Sequence, residues 1–165
     1  MAGTDVEKGV HIVQYPREVS LCAGCGGCEI VCSFEHFGAV GKHTARLFVD
    51  RGTIDMMHTV YACQQCADHP CYDACPPKVQ AMQIDEDGMV WIDQDVCIGC
   101  RSCIRACPFT PARINYNWEV KKSQKCDLCR GREGGPACIE YCQVRCIGLS
   151  DGPVPVPPPP PAPPG

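Results

Sequence analysis

Cys97-Ile98-Gly99-Cys100-Arg101-Ser102-Cys103-Ile104-Arg105-Ala106-Cys107-Pro108 sets four cysteines at the spacing C-x2-C-x2-C-x3-C and closes on proline. Three thiolates two residues apart wrap one face of an iron-sulfur cube, because a tight loop turns each sulfur and several backbone N–H groups toward one point. In such a run the fourth cysteine, followed by proline, serves the other cluster of a pair. The motif therefore predicts paired clusters. A tetrahedral zinc favours two well-separated C-x2-C pairs, often with histidine, and no histidine sits inside either C-x2-C-x2-C triplet.

Outward from that run the pattern repeats. Cys22, Cys25, Cys28 and Cys32 have the same spacing; Cys63, Cys66, Cys71 and Cys75 stretch one gap to C-x2-C-x4-C-x3-C and end at Pro76. Cys126, Cys129, Cys138 and Cys142 keep the flanking spacings and open the middle into an eight-residue loop. Sixteen of the seventeen cysteines thus form four groups of four, the complement of four 4Fe-4S clusters. Cys146 is left over, as a buried or surface thiol without a ligand role. A disulfide scaffold would call for a secretory leader and seldom repeats such a triplet. Zinc competes only at the last group, whose C-x2-C and distant C-x3-C would close a tetrahedron.

Aromatic residues make up 7% of the 165-residue chain, while Gly and Pro number 16 each. So little apolar side chain makes a poor core, so the clusters are expected to act as much of it, and the apo chain to be largely unfolded. The formal net charge of −4 becomes more negative once clusters bind, at roughly −2 for each oxidised cluster with its thiolates. Eight of the fifteen Lys and Arg lie between residues 101 and 132: Arg101, Arg105, Arg113, Lys121, Lys122, Lys125, Arg130 and Arg132. They read either as compensation around buried anionic clusters with an ordinary solvated face, or as a docking surface for an acidic partner. Nucleic-acid binding is not expected, because they are not interleaved with stacking aromatics.

Arg101, Arg105 and Lys125 adjoin cysteines of the motifs and would raise local potentials if they pointed inward; solvated side chains are expected. Gly24, Gly26, Gly27 and Gly99 either free loop amides to approach sulfur or accept a positive φ. His36 and His69 are expected at the surface or in packing, and Trp91 and Trp118 in hairpin and interface packing. Ala81–Asp93 reads as a hairpin about the turn Asp85-Glu86-Asp87-Gly88. Strand-like patches run over 46–50 and 59–62, and Arg113–Tyr116 with Glu119–Lys121 would form a further hairpin around Asn117. The gaps before Cys32, Cys75, Cys107 and Cys142 suit one helical turn each.

Residues 63 to 107 resemble a compact bacterial two-cluster ferredoxin, which leaves the first and fourth groups to pair across the sequence. The layout is an N-terminal segment 1–20, an outer discontinuous module 21–62 plus 111–150, an inner module 63–110, and a tail 151–165. Over residues 20 to 147 the chain resembles the four-cluster iron-sulfur subunits of molybdenum and tungsten oxidoreductases. The stretch Cys22-Ala23-Gly24-Cys25-Gly26-Gly27-Cys28-Glu29-Ile30-Val31-Cys32-Ser33, followed by Gly38-Ala39-Val40-Gly41, is most similar to the small subunits of tungsten aldehyde oxidoreductases and benzoyl-coenzyme-A reductases.

The resemblance implies an α+β, loop-rich fold of two nested bacterial-type two-cluster ferredoxin-like modules with short β-hairpins and short helices. It implies one cluster on Cys22, Cys25, Cys28 and Cys142, and a second on Cys126, Cys129, Cys138 and Cys32. A third would take Cys63, Cys66, Cys71 and Cys107, and a fourth Cys97, Cys100, Cys103 and Cys75. Ser33 and Gln143 depart from the pattern, standing where a ferredoxin has proline. The implied role is non-catalytic, one-electron relay between a large pterin-containing catalytic subunit and a second redox partner, a flavoprotein or ferredoxin. A free-standing polyferredoxin is the alternative, and a structural zinc or disulfide protein a more distant one.

Nine of the twelve residues from Pro153 to Pro164 are proline. They favour an extended polyproline II rod of about 3.1 Å per residue, expected to strap onto a neighbouring subunit or to support end-to-end self-association. Met1–Pro16 carries Asp5, Glu7 and Lys8 without an apolar run or twin arginine, and no stretch nears the ~18 apolar residues of a membrane span. No direct membrane insertion is expected, and the setting is cytoplasmic unless a partner's signal carries the chain out.

Overall fold

A computed structural model describes residues 7–41, 43–52 and 57–152. The proline-rich strap expected over Pro153–Gly165 falls outside the described residues. Regular structure is short and interrupted by cysteine loops: β1 (Ile12–Gln14), α1 (Gly27–Phe37), β2 (Phe48–Arg51), β3 (His58–Tyr61), α2 (Pro70–Asp73), β4 (Met82–Ile84), β5 (Val90–Ile92), α3 (Ser102–Ala106), β6 (Ile114–Asn117), β7 (Lys122–Lys125), α4 (Ala137–Glu140) and β8 (Ile147–Leu149). Among the described residues the strands make four separate antiparallel pairs, β1-β8, β2-β3, β4-β5 and β6-β7, and no helix is long and apolar enough to cross a membrane.

The expected hairpin over Ala81–Asp93 forms in the register Met82↔Ile92 and Ile84↔Val90. Its turn closes through Gly88 N–H to the Asp85 carbonyl at 3.0 Å and Met89 N–H to Asp85 Oδ1 at 2.9 Å. Met82, Val90 and Ile92 are buried on one face against Ile114 and Cys103. Met82→Ala empties part of this small core and is expected to cost about 2–5 kcal/mol, seen as earlier loss of cluster absorbance in a urea titration of the holoprotein. An unchanged midpoint would mean the hairpin contributes nothing to cluster retention.

The β6-β7 hairpin differs from expectation, because its second strand is Lys122–Lys125 and not Glu119–Lys121. Asn117 is fully buried, and its Oδ1 accepts N–H bonds from Glu119 at 2.9 Å and Val120 at 3.4 Å. This side-chain turn, with Lys121 at φ 55°, spends residues 118–121 on the reversal and postpones the returning strand.

Three of the expected single helical turns appear as α2, α3 and α4, but α1 runs eleven residues and carries straight through Cys32. The reason lies one residue on. Proline lacks the N–H that a helix interior needs; Pro76 and Pro108 follow α2 and α3, whereas Ser33 lets α1 continue. Ser33 is fully buried, donates from Oγ to the Ala39 carbonyl at 2.7 Å and accepts the Gly41 N–H at 3.0 Å. It thereby ties the helix to the loop behind it.

Helix α1 packs on α4, and α2 packs on α3. Buried side chains divide the same way. One group joins Cys22, Cys32, Cys126, Cys138 and Cys146 to Ile12, Leu47, Val49 and Ile147; the other gathers Met82, Val90, Ile92, Cys103 and Ile114. The N-terminal segment supplies β1 to β8 in the register Ile12↔Leu149, and its residue Gly9 donates N–H to the Gln65 carbonyl at 2.6 Å. It stitches the chain end to the second cysteine loop.

Candidate iron-sulfur sites

All seventeen thiols are free, and only Cys25 and Cys100 are exposed. Among the described residues, no three His, Cys, Asp or Glu side chains converge closely enough for a single metal ion. The sulfurs instead surround spaces. One cavity is lined by Cys75, Cys97, Cys100 and Cys103, with Pro76, Met82 and Ile92 in its wall. A second is lined by Cys63, Cys66, Cys71 and Cys107, with Val90, Phe109 and Lys125. Each draws three cysteines from one group and the fourth from the other, a donor set suited to a cubane.

The first and fourth groups mix in the same manner. Cys28 lies within electrostatic reach of Cys22 and Cys142, while Cys138 lies within reach of Cys126, Cys32 and Cys129. Cys25 faces a surface groove with Glu29, Ile30 and Arg51. Electrostatic reach also extends between groups, from Cys28 to Cys138, from Cys63 to Cys126 and from Cys71 to Cys103.

Burial pushes the bare thiols of Cys28 and Cys71 up to about 12 and those of Cys32 and Cys66 up to about 11, and raises Cys126 and Cys138 as well. So many packed sulfurs stay neutral unless metal takes their protons. Cys100 goes the other way, pulled down chiefly by the Ser102 backbone N–H. Backbone N–H groups already point at several sulfurs: Arg46 to Cys32 and Arg113 to Cys107 at 3.3 Å, and Ala137 to Cys129 at 3.5 Å. None of these donors is a glycine. Gly99 instead has φ +69°, and a Cβ there would sit 1.9 Å from the Lys121 carbonyl oxygen, so the loop needs glycine for conformation and close approach.

Arg101 and Arg105 are exposed, as expected. Arg101 lies over the Tyr116 and Trp118 rings at 4.5 and 5.0 Å, with Trp118 itself exposed, and Trp91 carries Arg130 at 4.5 Å. Lys125 corrects the expectation of a solvated side chain, being fully buried in the wall of the second cavity. His69 is the N-cap residue before α2, but His36 is more than packing. Its Nε2 is 3.6 Å from Cys129 Sγ and 3.6 Å from Asp127 Oδ1, and Asp127 also binds Arg46. Burial first, then Arg46, lowers the His36 pKa and favours the neutral ring. Asp127 and Lys125 flank Cys126 in sequence, a signal available beforehand; His36 and Arg46 had none. Cys146 is a buried thiol whose Sγ lies 3.7 Å from Cys142 Sγ.

Comparison with known proteins agrees with this geometry. Residues 54–152 match the family model described as a 4Fe-4S dicluster domain. The protein is 39% identical to the polyferredoxin-like subunit of an aliphatic sulfonate oxidoreductase from Pyrococcus furiosus, over 84% of its own length and 74% of that subunit. It is 32% identical to the electron transport protein HydN of Escherichia coli, covering 79% and 83% of the two sequences. Its identity to the B subunit of polysulfide reductase from Wolinella succinogenes is 31%, covering 82% and 74%. With four cysteines lining each of two cavities and a match over more than half its length, the chain belongs to the 4Fe-4S dicluster domain family.

Proposed function

We propose that this chain is an electron-transfer subunit that holds four 4Fe-4S clusters and catalyses no bond chemistry itself. The carrying observation is the succession of thiol sets, each within electrostatic reach of the next, with Cys25 and Cys100 exposed in the first and last. The clusters supply reversible one-electron chemistry; the protein supplies spacing, insulation and charge. Cys22, Cys25, Cys28 and Cys142 hold the first cluster, and Cys126, Cys129, Cys138 and Cys32 the second. Cys63, Cys66, Cys71 and Cys107 hold the third, and Cys97, Cys100, Cys103 and Cys75 the fourth. The packing of α1 on α4 and of α2 on α3 supports two nested modules, an outer one over 21–62 and 111–150 and an inner one over 63–110.

The two exposed cysteines mark the points of entry and exit. Leu21, Ile30 and Val40 are exposed beside the first, and Ile98 beside the second. Such apolar collars suit partners that dock close enough for tunnelling. One partner is a catalytic oxidoreductase subunit, since relatives are named as subunits of such enzymes. The sequence likeness of residues 22–41 favours a tungsten- or molybdenum-pterin enzyme of the aldehyde-oxidoreductase type, with a flavoprotein or ferredoxin at the other end in the cytoplasm. Anaerobically purified protein is expected to contain about sixteen irons and sixteen labile sulfides, four per cluster, and to give overlapping low-temperature paramagnetic signals when reduced by dithionite. Absence of labile sulfide would overturn this reading.

A further inference from the structure

Lys125 is the largest fully buried side chain among the described residues. Its Nζ donates to the Val90 carbonyl at 2.6 Å and to Gln65 Oε1 at 3.2 Å, both neutral acceptors. Among the described residues no carboxylate is within ion-pair distance of it. A cationic side chain buried without a counter-charge is strongly destabilising, so a fold that places one there supplies an anion. What Lys125 faces is the cavity of Cys63, Cys66, Cys71 and Cys107.

The other cationic side chains near cysteines are balanced or wet. Arg46, beside Cys32, is paired with Asp127, and Arg51, beside Cys25, with Glu29. Arg101 and Arg105, beside Cys100, are exposed. Arg113, in the same cavity wall as Lys125, is only half buried and lies 4.0 Å over the Tyr61 ring. Among these side chains Lys125 alone combines burial with the lack of a carboxylate partner. Its position is also fixed from two sides. Gln65 sits between Cys63 and Cys66, accepts the Val90 N–H at 3.0 Å, and donates from Nε2 to the Cys126 carbonyl at 3.0 Å. The ammonium thus stands at the seam between the second and third thiol sets.

We propose that Lys125 is the built-in counterion of the cluster on Cys63, Cys66, Cys71 and Cys107, and that its charge makes this cluster the most easily reduced of the four. The inference rests on the ligand sets proposed above. A fixed positive charge in a low-dielectric wall stabilises an added electron far more than an exposed one does. The first electron taken up therefore settles on the inner side of the module seam.

The test is a potentiometric titration of the anaerobic holoprotein followed by paramagnetic resonance, on wild type, Lys125→Met and Lys125→Arg. Lys125→Met is expected to lower the midpoint of one cluster by at least tenfold in its reduction equilibrium, about 59 mV for one electron, leaving the others in place. Lys125→Arg, which keeps the charge, is expected to restore it. Cys66→Ser gives an independent reading on a protein with Lys125 intact: the signal it alters or removes is expected to be the one that appears first as wild type is reduced. Unmoved midpoints in Lys125→Met, or a first signal indifferent to Cys66→Ser, would overturn the proposal. Wild-type iron and sulfide content tests the ligand reading separately, since it does not depend on Lys125.

Discussion

Removing the clusters is expected to unfold the chain, with loss of far-UV dichroism and of protection against proteolysis when iron is chelated under air. The regular elements cannot stand unaided. Of the four described helices three have four or five residues, far below the ~12 at which an isolated helix becomes even marginal in water. The described strands form only two-stranded pairs, which are marginal alone. Of the twelve residues in the larger buried group six are cysteines, Cys22, Cys32, Cys63, Cys126, Cys138 and Cys146. Five of those six are proposed ligands, so without metal the group loses its organising centre. Structural metals in small domains contribute on the order of 10 kcal/mol, about the whole stability of an ordinary domain. Retention of native dichroism after complete loss of iron would show that the hairpins carry the fold.

The cysteine spacing makes the sites legible because ligand geometry is local: a triplet two residues apart has few ways to present its sulfurs. The hairpin at Ala81–Asp93 is legible for a like reason, an Asp-Gly turn between alternating apolar residues. What escapes the sequence depends on distant partners. The β1-β8 pairing joins residues more than a hundred positions apart, and nothing in Ile12–Gln14 names Ile147–Leu149 as its mate. The length of α1 is written in Ser33, but taken by itself that serine reads only as a missing proline and not as a licence for the helix to run on. Lys125 looks like one member of a basic run; only the fold shows Val90 and Gln65 closing over it. His36 meets Cys129 and Asp127 because α1 overshoots its fourth cysteine by more than a turn.

Cys32→Ala is expected to destroy the cluster at the other end of the sequence and to spare the one held by its own triplet. Cys32 stands on α1, which packs on α4, and its sulfur lies near Cys129 and Cys138. Its triplet partners Cys22 and Cys28 lie instead toward Cys142. Iron content should fall by about four per chain, the complement of one cubane. Native alkylation followed by peptide mass mapping should then label Cys126, Cys129 and Cys138 while Cys22, Cys25 and Cys28 stay protected. Cys32 suits this test better than Cys142, because the free thiol of Cys146 lies 3.7 Å from Cys142 Sγ and stands ready to replace it. Labelling of Cys25 and Cys28 would mean that each motif closes on itself. In that case the two ends of the chain would be held together by packing alone, and the succession of sets from Cys25 to Cys100 would lose its support.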